Sequence, residues 1–545
     1  MTRYTLTAID TTQIQSYVFG SNQLKENIGG SELVELATHQ WVYEALPTTH
    51  NVANFKTEEL DTGKTIDLVD AEIVYAGGGN TVVLFKSILL AQTFTRQLTR
   101  RILTSAPGLE IVVTHREFDW ETTPLAQVVQ QTLGVDLARK KQTRQPSVPL
   151  LGLGVTIPCN STGLVASGAD GGKPISRETK AKIADGNQQS GERRLLDLLP
   201  RITQGGWNIP RDFDKLGRIK GDEGYIAVVH ADGNGMGKRI EQIAEQYGTS
   251  QQNRAYIDAM REFSGAIKQA SRQALRAATD LMANALIEDA ELAKIHHEDF
   301  PMRPIVFGGD DMTFVCNGRY GLPLAVRYLQ AFEKETAKEP AFNKRPVYAC
   351  AGVAIVKVHY PFARAYHLSE QLCLSAKKMS KEMSAKGGQD CSALDWHFAM
   401  AGITGSLQNI RENEYEIDLR QKERSKLHMR PVLLHEHDHT WRSWPAFQAL
   451  TQEFAEEDGG WYDRRNKVKA LREALRAGPI AVEEFLRTYR LPDEGLPQVR
   501  TIRVAGYQRT GWDRTTNQCI YFDPIEAMDF YTNLEATVKI GEGEP

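Results

Sequence analysis

The stretch YIAVVHADGNGMGK (225–238), read together with VFGGDDMTF (306–314), decides the fold of this 545-residue chain. The continuous apolar run from Tyr225 to Ala231 suits a central strand buried on both faces, and it ends abruptly at Asp232. Gly233, Asn234, Gly235 and Gly237 follow, and their backbone amides can approach a triphosphate closely. A helix opening near Met236 adds a favourable N-terminal dipole, and Lys238 supplies a phosphate counter-charge. In the second segment Pro304 to Phe307 reads as a strand, Gly308-Gly309 as a tight turn and Met312 to Cys316 as the returning strand. Asp310 and Asp311 then fall at a hairpin tip. Three carboxylates at one sheet edge repel one another unless a cation lies between them, and Mg2+ or Mn2+ prefers such hard oxygen ligands. Two ions about 4 Å apart would activate an attacking hydroxyl and neutralise a leaving pyrophosphate. The plain alternative has Asp232 capping a helix and residues 308–311 forming a solvated turn. Both segments in this order, each joined to an apolar strand, favour the metal reading.

Periodicity around these segments predicts strand 225–231, helices from 236 to about 290, strands 304–308 and 311–316, and a helix over about 322–338. Strand 348–358, helix 361–382 and strand 392–398 complete a βαββαβ polymerase-type palm with one extra strand. The first third of the chain repeats the pattern: YTLTAID at 4–10, a helix after Ser31, strands AEIVYAGG and TVVLF, a helix at 88–105, and EIVVTHREF. Where the other palm has GGDD, this one has Gly77-Gly78-Gly79-Asn80, so the turn glycines remain and both carboxylates are gone. Asp10 alone cannot hold two metals. The expected fold class is α+β and multidomain, with four units. These are a degenerate ferredoxin-like palm (1–118), a small α/β intervening domain (119–214), a second palm (215–400) and a mainly helical C-terminal domain (401–545).

HADGNGMGK and GGDD resemble the palm of the large polymerase-like subunit of type III CRISPR effectors, and are distantly similar to GGDEF nucleotide cyclases. The resemblance extends to RPIVFGGDDMTFVC, to ACAGVAIVKVHYPFARAYHLSEQLCLSAKK (349–378) and to SALDWHF near Asp395, and so covers most of residues 215–400. It implies a palm that joins ATP into cyclic oligoadenylate, with Asp232, Asp310 and Asp311 catalytic and Asp232, the Gly233 carbonyl, Asp310 and Asp311 holding two Mg2+ or Mn2+ ions. Lys377 is similar to a triphosphate-binding lysine; the alternative is a solvated lysine on a helix face. IDTTQIQSYVFGSNQLKENIGGSEL resembles the start of the family's degenerate first palm, a partner that either contacts the second nucleotide or is purely structural. VTIPCNSTGLVAS resembles the family's zinc knuckle, yet only Cys159 remains, Thr162 stands where a second cysteine is expected, and no later CxxC follows. Structural zinc is therefore not expected. The family's larger members begin with a histidine-aspartate nuclease domain, whereas this sequence starts with the first palm. The group His296, His297, Glu298, Asp299 lacks that domain's spaced ligands, so DNA cleavage is not implied.

Composition agrees with a soluble protein: 41% hydrophobic and 25% charged residues, without an apolar run of membrane-spanning length or a signal-peptide core. Cytoplasmic residence and no membrane partner follow as expectations. Six scattered cysteines form no secreted disulfide pattern. The net charge of −4 gives no global attraction to nucleic acid, and the run Arg139, Lys140, Lys141, Arg144 reads as a solvated linker. Amphipathic stretches at 446–456 and 462–489 mark the C-terminal helices. His435, His437 and His439 alternate as a strand face would, which opens a transition-metal reading beside that of an exposed turn.

Two functional classes follow. The first is a metal-dependent nucleotidyltransferase making a cyclic or linear oligonucleotide from ATP or another nucleoside triphosphate, for antiviral defence. The second is an RNA-binding or nucleotide-sensing scaffold that assembles with guide RNA and type III CRISPR-type subunits. A template-directed polymerase would need a long basic channel, for which the sequence offers no support.

Overall fold

The computed structural model describes residues 2–55, 57–77, 79–144, 152–217, 224–399, 405–419, 423–455, 461, 464–489, 496–498, 510–513 and 515–537. Its centre is a six-stranded sheet in the order Met302–Val306, Met312–Asn317, Tyr225–Gly233, Ala349–Lys357, Ala393–Ala399, Val432–Leu433. The first four strands pair antiparallel, in the 2-3-1-4 order of a βαββαβ unit. Ala393–Ala399 then adds in parallel at the Ala349–Lys357 edge, reached through helix Phe362–Gly387.

Alternation along Tyr225–Gly233 divides the core. Ala227, Val229 and Ala231 pack with the 36-residue helix Asn253–Glu288 and with helix Gly321–Thr336. Ile226 and Val228 pack on the opposite face with Phe362, Ala365 and residues of the N-terminal third. Fully burying Ile226, Val228 or Val229 contributes about 1.5–3 kcal/mol each, so both faces of this strand are strongly specified. Gly352 lets helix Phe362–Gly387 lie directly on the sheet, because a Cβ there would come within 2.0 Å of the Ser369 carbonyl oxygen.

The N-terminal third forms a second sheet, Ala71–Gly77, Asn80–Phe85, Arg3–Thr12, Glu110–Asp119, with the same 2-3-1-4 antiparallel order. Phe19 locks it to the central unit, stacking 3.7 Å from Tyr366, and Ser31 donates its hydroxyl to the Ile305 carbonyl at 2.5 Å.

Several sequence expectations need correction. The helix expected after Ser31 begins at Leu24 and runs to Thr38. A Cβ on Gly29, inside this helix, would lie 1.7 Å from the Lys182 carbonyl oxygen, so glycine serves close packing there. The edge strand spans Met302–Val306, with a register shift near Pro304, and is followed by a five-residue connection rather than a tight turn. The basic run is no linker: it forms helix Ala138–Thr143 against strand Glu110–Asp119. Lys140 donates to the Val113 carbonyl at 2.6 Å, Arg144 to Glu110 at 2.8 Å, and Lys141 pairs with Asp10. The region after 400 has the expected helices Trp444–Ala455, Arg465–Ala477 and Pro479–Thr488. It also carries a small four-stranded sheet, Glu416–Leu419, Glu423–Lys426, Gln518–Cys519, Trp512–Asp513, whose short strands give little periodic signal. His435, His437 and His439 do not share a strand face. His435 bonds to Glu333 at 2.7 Å, while His437 bridges Thr440 across a turn. Gly78, residues 145–151, residue 456 and residues 462–463, all within stretches read above, lie outside the described residues.

The described cysteines are free, and all but Cys391 are buried. Cys159 lies against the Thr179 hydroxyl at 3.5 Å, and Thr162 donates to Ser176 at 3.1 Å. His296 is buried and bonded to the Tyr320 hydroxyl at 3.0 Å, a core histidine. No helix among the described residues is long and apolar enough to cross a membrane.

Candidate metal and nucleotide site

The antiparallel register pairs Ala231 with Met312 and Asp232 with Cys350, so Asp311 stands level with Asp232 at the end of the central strand. Period-two alternation turns His230 and Asp232 to the same face, the one covered by helix Phe362–Gly387. Ligand atoms of His230, Asp232 and Asp311 all lie within 4.8 Å of one another. Asp310 is pressed in beside them: a Cβ on Gly233 would sit 3.3 Å from the Asp310 Cβ and 2.2 Å from the Met236 methyl. Glycine at 233 is what admits the acidic loop.

Charge crowding shows in the carboxyl groups. Burial and the neighbouring Asp232 charge push the Asp310 carboxyl above its ordinary range. Asp311 is pushed up well above it, by burial first and then by Asp232 and Asp310. Asp311 itself remains exposed at the sheet edge. Lys377 answers part of this charge. Its ammonium pairs with Asp232 and donates to the Gly233 carbonyl at 3.2 Å. Burial works against the charged lysine, but the Asp232 carboxylate outweighs it and holds the Lys377 pKa up. The lysine is thus not a solvated helix-face residue, since its side chain keeps only 19% of its exposure.

His230 is the residue that sequence reasoning missed. Burial pushes its pKa down to about 4, against the pull of Asp232, so the ring is neutral at pH 7. Its Nδ1 meets the Thr313 hydroxyl at 3.2 Å, and Tyr366 packs edge-on at 5.7 Å. A histidine two residues before Asp232 shares its strand face, but the same pattern fits a core histidine and does not by itself mark a site.

Asn234 does not offer its side chain to the site. Its amide nitrogen donates to Ser380 at 3.2 Å and lies 3.4 Å from the Cys391 carbonyl, tying the loop to helix Phe362–Gly387. Gly235, at φ 70°, starts helix Met236–Gln246 in a left-handed conformation, and Gly237 and Lys238 lie exposed in its first turn. Gly308, at φ 109°, needs the same freedom, and Gly309 continues the loop.

Beside Phe307 a cavity of about 870 Å³ runs between the two sheet units, lined by Glu35, His39, Glu58, Arg194 and Arg272. Arg194 covers the Phe307 ring at 4.7 Å, and Arg272 approaches Gly308. Ligand atoms of Glu35, His39 and Glu58 also lie within 4.8 Å, but their charge is already met: Lys268 pairs with Glu58, and Arg194 with Glu35 at 3.0 Å. Despite burial, His39 and the surrounding cations hold the Glu35 carboxyl down at about 2.

The N-terminal sheet shows what has been lost. Asp10 pairs in register with Asn80, which therefore takes the place that Asp311 has beside Asp232. The Lys141 ammonium fills the gap, and the Thr11 hydroxyl closes on the Gly79 carbonyl at 2.7 Å.

Residues 225–385 match the family model described as Cas10/Cmr2, second palm domain. No curated protein matches the chain. Among solved structures, a chain of the Csm1–Csm4 cassette in complex with cA4 aligns at a TM-score of 0.50 and 13% identity, over 98% of this chain and 70% of that one. The cassette with pppApApA aligns at 0.51 and 14%, over 99% and 70%. The apo cassette aligns at 0.51 and 13%, again over 99% and 70%. At these identities the structures are alike in fold, and the family match specifies the central unit as a Cas10-like palm.

Proposed function

We propose that this Cas10-like palm protein is a divalent-metal-dependent nucleotidyltransferase that joins ATP or another nucleoside triphosphate into a cyclic oligonucleotide signal. In each step the 3′-hydroxyl of one nucleotide attacks the α-phosphate of another, forming a phosphodiester and releasing pyrophosphate. The observation that carries this reading is the convergence of Asp232, Asp311 and His230 beside Asp310, with the last two carboxyls raised by burial and mutual charge. Such a donor set is short of positive charge, and its hard oxygens fit Mg2+ or Mn2+. Asp232, Asp310, Asp311 and the Gly233 carbonyl would hold two ions. When bound, the ions supply charge that screens the triphosphate and eases deprotonation of the attacking hydroxyl.

The chain's own groups do the positioning. Amides of Gly235 and Gly237 at the N-terminus of helix Met236–Gln246 receive phosphate oxygens, and Lys238 adds charge from the same turn. Lys377 exchanges Asp232 for the incoming triphosphate, which frees the carboxylate and the Gly233 oxygen together. The 870 Å³ cavity beside Phe307 suits a second nucleotide, with Arg194 and Arg272 facing its phosphates and the N-terminal sheet unit as the far wall. We divide the chain accordingly into a degenerate palm (1–118), an intervening unit (119–214), the working palm (215–400) and a C-terminal unit (401–545), acting in the cytoplasm beside type III CRISPR-type subunits. The cassettes of the same fold have been captured with cA4 and with pppApApA, which supports this reaction class.

The test incubates purified protein with each labelled nucleoside triphosphate and Mg2+ or Mn2+, beside Asp310→Ala, and resolves products by mass spectrometry. A metal-dependent oligonucleotide absent from the variant is expected. Equal pyrophosphate release from both proteins would overturn the assignment, and saturable binding without product would favour the nucleotide-sensing scaffold.

A further inference from the structure

On the far side of helix Phe362–Gly387 from the strand face that carries Asp232 lies a second cavity, of about 770 Å³. Its walls come from this helix, from helix Leu407–Glu414 and from the small C-terminal sheet. The inner wall holds Arg411, Arg430, Arg442 and His428, and Lys378 and Lys426 stand exposed at the mouth.

These cations are unevenly compensated. Arg411 donates to Asp395 at 2.6 Å, and Arg430, 1% exposed, donates to Glu526 at 3.0 Å. The Arg430 Nε also lies 3.6 Å from Asp523, whereas Lys378, Lys426 and Arg442 make no ion pair among the described residues. Burial lowers the Arg442 pKa, with Glu382 and Asp395 only partly opposing it. Burial and the adjoining Arg411 and Arg430 likewise push His428 well below its ordinary value. The part-buried Arg442 guanidinium has no such acidic partner among the described residues, and planar donors of this kind suit phosphate oxygens.

We infer that this cavity is a second, non-catalytic binding site for a small phosphorylated ligand of the nucleotide class, its phosphate held by Arg442, Lys378 and Lys426. Glu382, Glu412 and Glu416 line the same opening, so a long polyanion laid across it would meet carboxylates, whereas a compact phosphate reaches the cations between them. The volume fits one nucleotide. The wall helix also carries Lys377.

The experiment uses the full chain with the acidic loop disabled, Asp310→Asn with Asp311→Asn, in chelator, so that its result does not depend on nucleotidyl transfer. ATP and inorganic pyrophosphate are titrated by calorimetry. Saturable binding is expected, weakened at least 10-fold by Arg442→Gln and 3-fold or more by Lys426→Gln. The second variant alters an exposed side chain and guards against misfolding of the first. Lys238→Gln reports separately on the strand-end site and does not weaken the Arg442-dependent binding. Binding that survives both substitutions, or is lost only with Lys238→Gln, overturns the inference, as does preference for a single-stranded RNA probe with no affinity for ATP or pyrophosphate.

Discussion

Asp311 concentrates the residue-scale argument. Its ionised form is disfavoured in the fold by burial and by two neighbouring aspartates, so at neutral pH without a cation it opposes folding. Asp311→Asn should melt at or above the parent temperature in chelator, while losing at least 100-fold in product formation. Mn2+ should raise the parent melting temperature and leave that of the variant nearly fixed, which differential scanning fluorimetry reads directly. Lys377→Met removes the group that bridges Asp232 and the triphosphate. It should raise the KM for nucleotide several-fold and leave the fold intact, whereas an unchanged KM would reduce Lys377 to a structural counter-ion. That the three aspartates converge was legible from the two segments taken together, because each adjoins an apolar strand. His230 was not, since a histidine inside an apolar run reads equally as core; only the sheet register shows what it faces.

At the scale of elements, the site depends on how closely helix Phe362–Gly387 lies on the sheet. Gly352→Ala would set a methyl against the Ser369 carbonyl at 2.0 Å and the Cys373 amide at 2.4 Å. Overpacking of this kind costs about 1–3 kcal/mol. A lower urea midpoint together with weaker nucleotide binding is expected, as the helix lifts and takes Lys377 with it. The helix and strand that contribute Lys377 and Asp232 were readable from periodicity, and their ends fall within a few residues of expectation. The helix Leu24–Thr38 and the strand Met302–Val306 were read less well, for one reason: glycine and proline signal breaks locally, yet here they serve a close approach and an edge-strand register shift. The Arg139–Arg144 run failed similarly, because charge density suggests solvent until two neighbouring strands supply Asp10 and Glu110.

For the whole molecule, four buried histidines set the acid limit. Burial holds His230 and His296 at about 4, His397 at about 3 and His428 well below 6.5. Because these folded values lie below the unfolded one, their stabilising contribution is fully present above about pH 6.5 and is lost as pH falls towards the folded values. Each contributes a slope of up to about 1.4 kcal/mol per pH unit in that window. The urea midpoint should be flat from pH 7 to 8 and fall steeply from 6.5 to 4, and His296→Phe should flatten the fall by about one proton's worth. A midpoint independent of pH over that range would contradict the burial of these rings. The sequence by itself determined the strand–aspartate and hairpin–aspartate segments, the repeated βαββαβ order and the loss of acid from the first repeat, because these are local patterns with short-range causes. Tertiary structure alone decided that His230 faces Asp232, that Lys377 and Lys141 occupy equivalent charge-balancing places in the two units, and that a cluster of arginines lies behind the helix that carries Lys377. Those relations join residues more than a hundred positions apart or depend on sheet register, and only packing sets them.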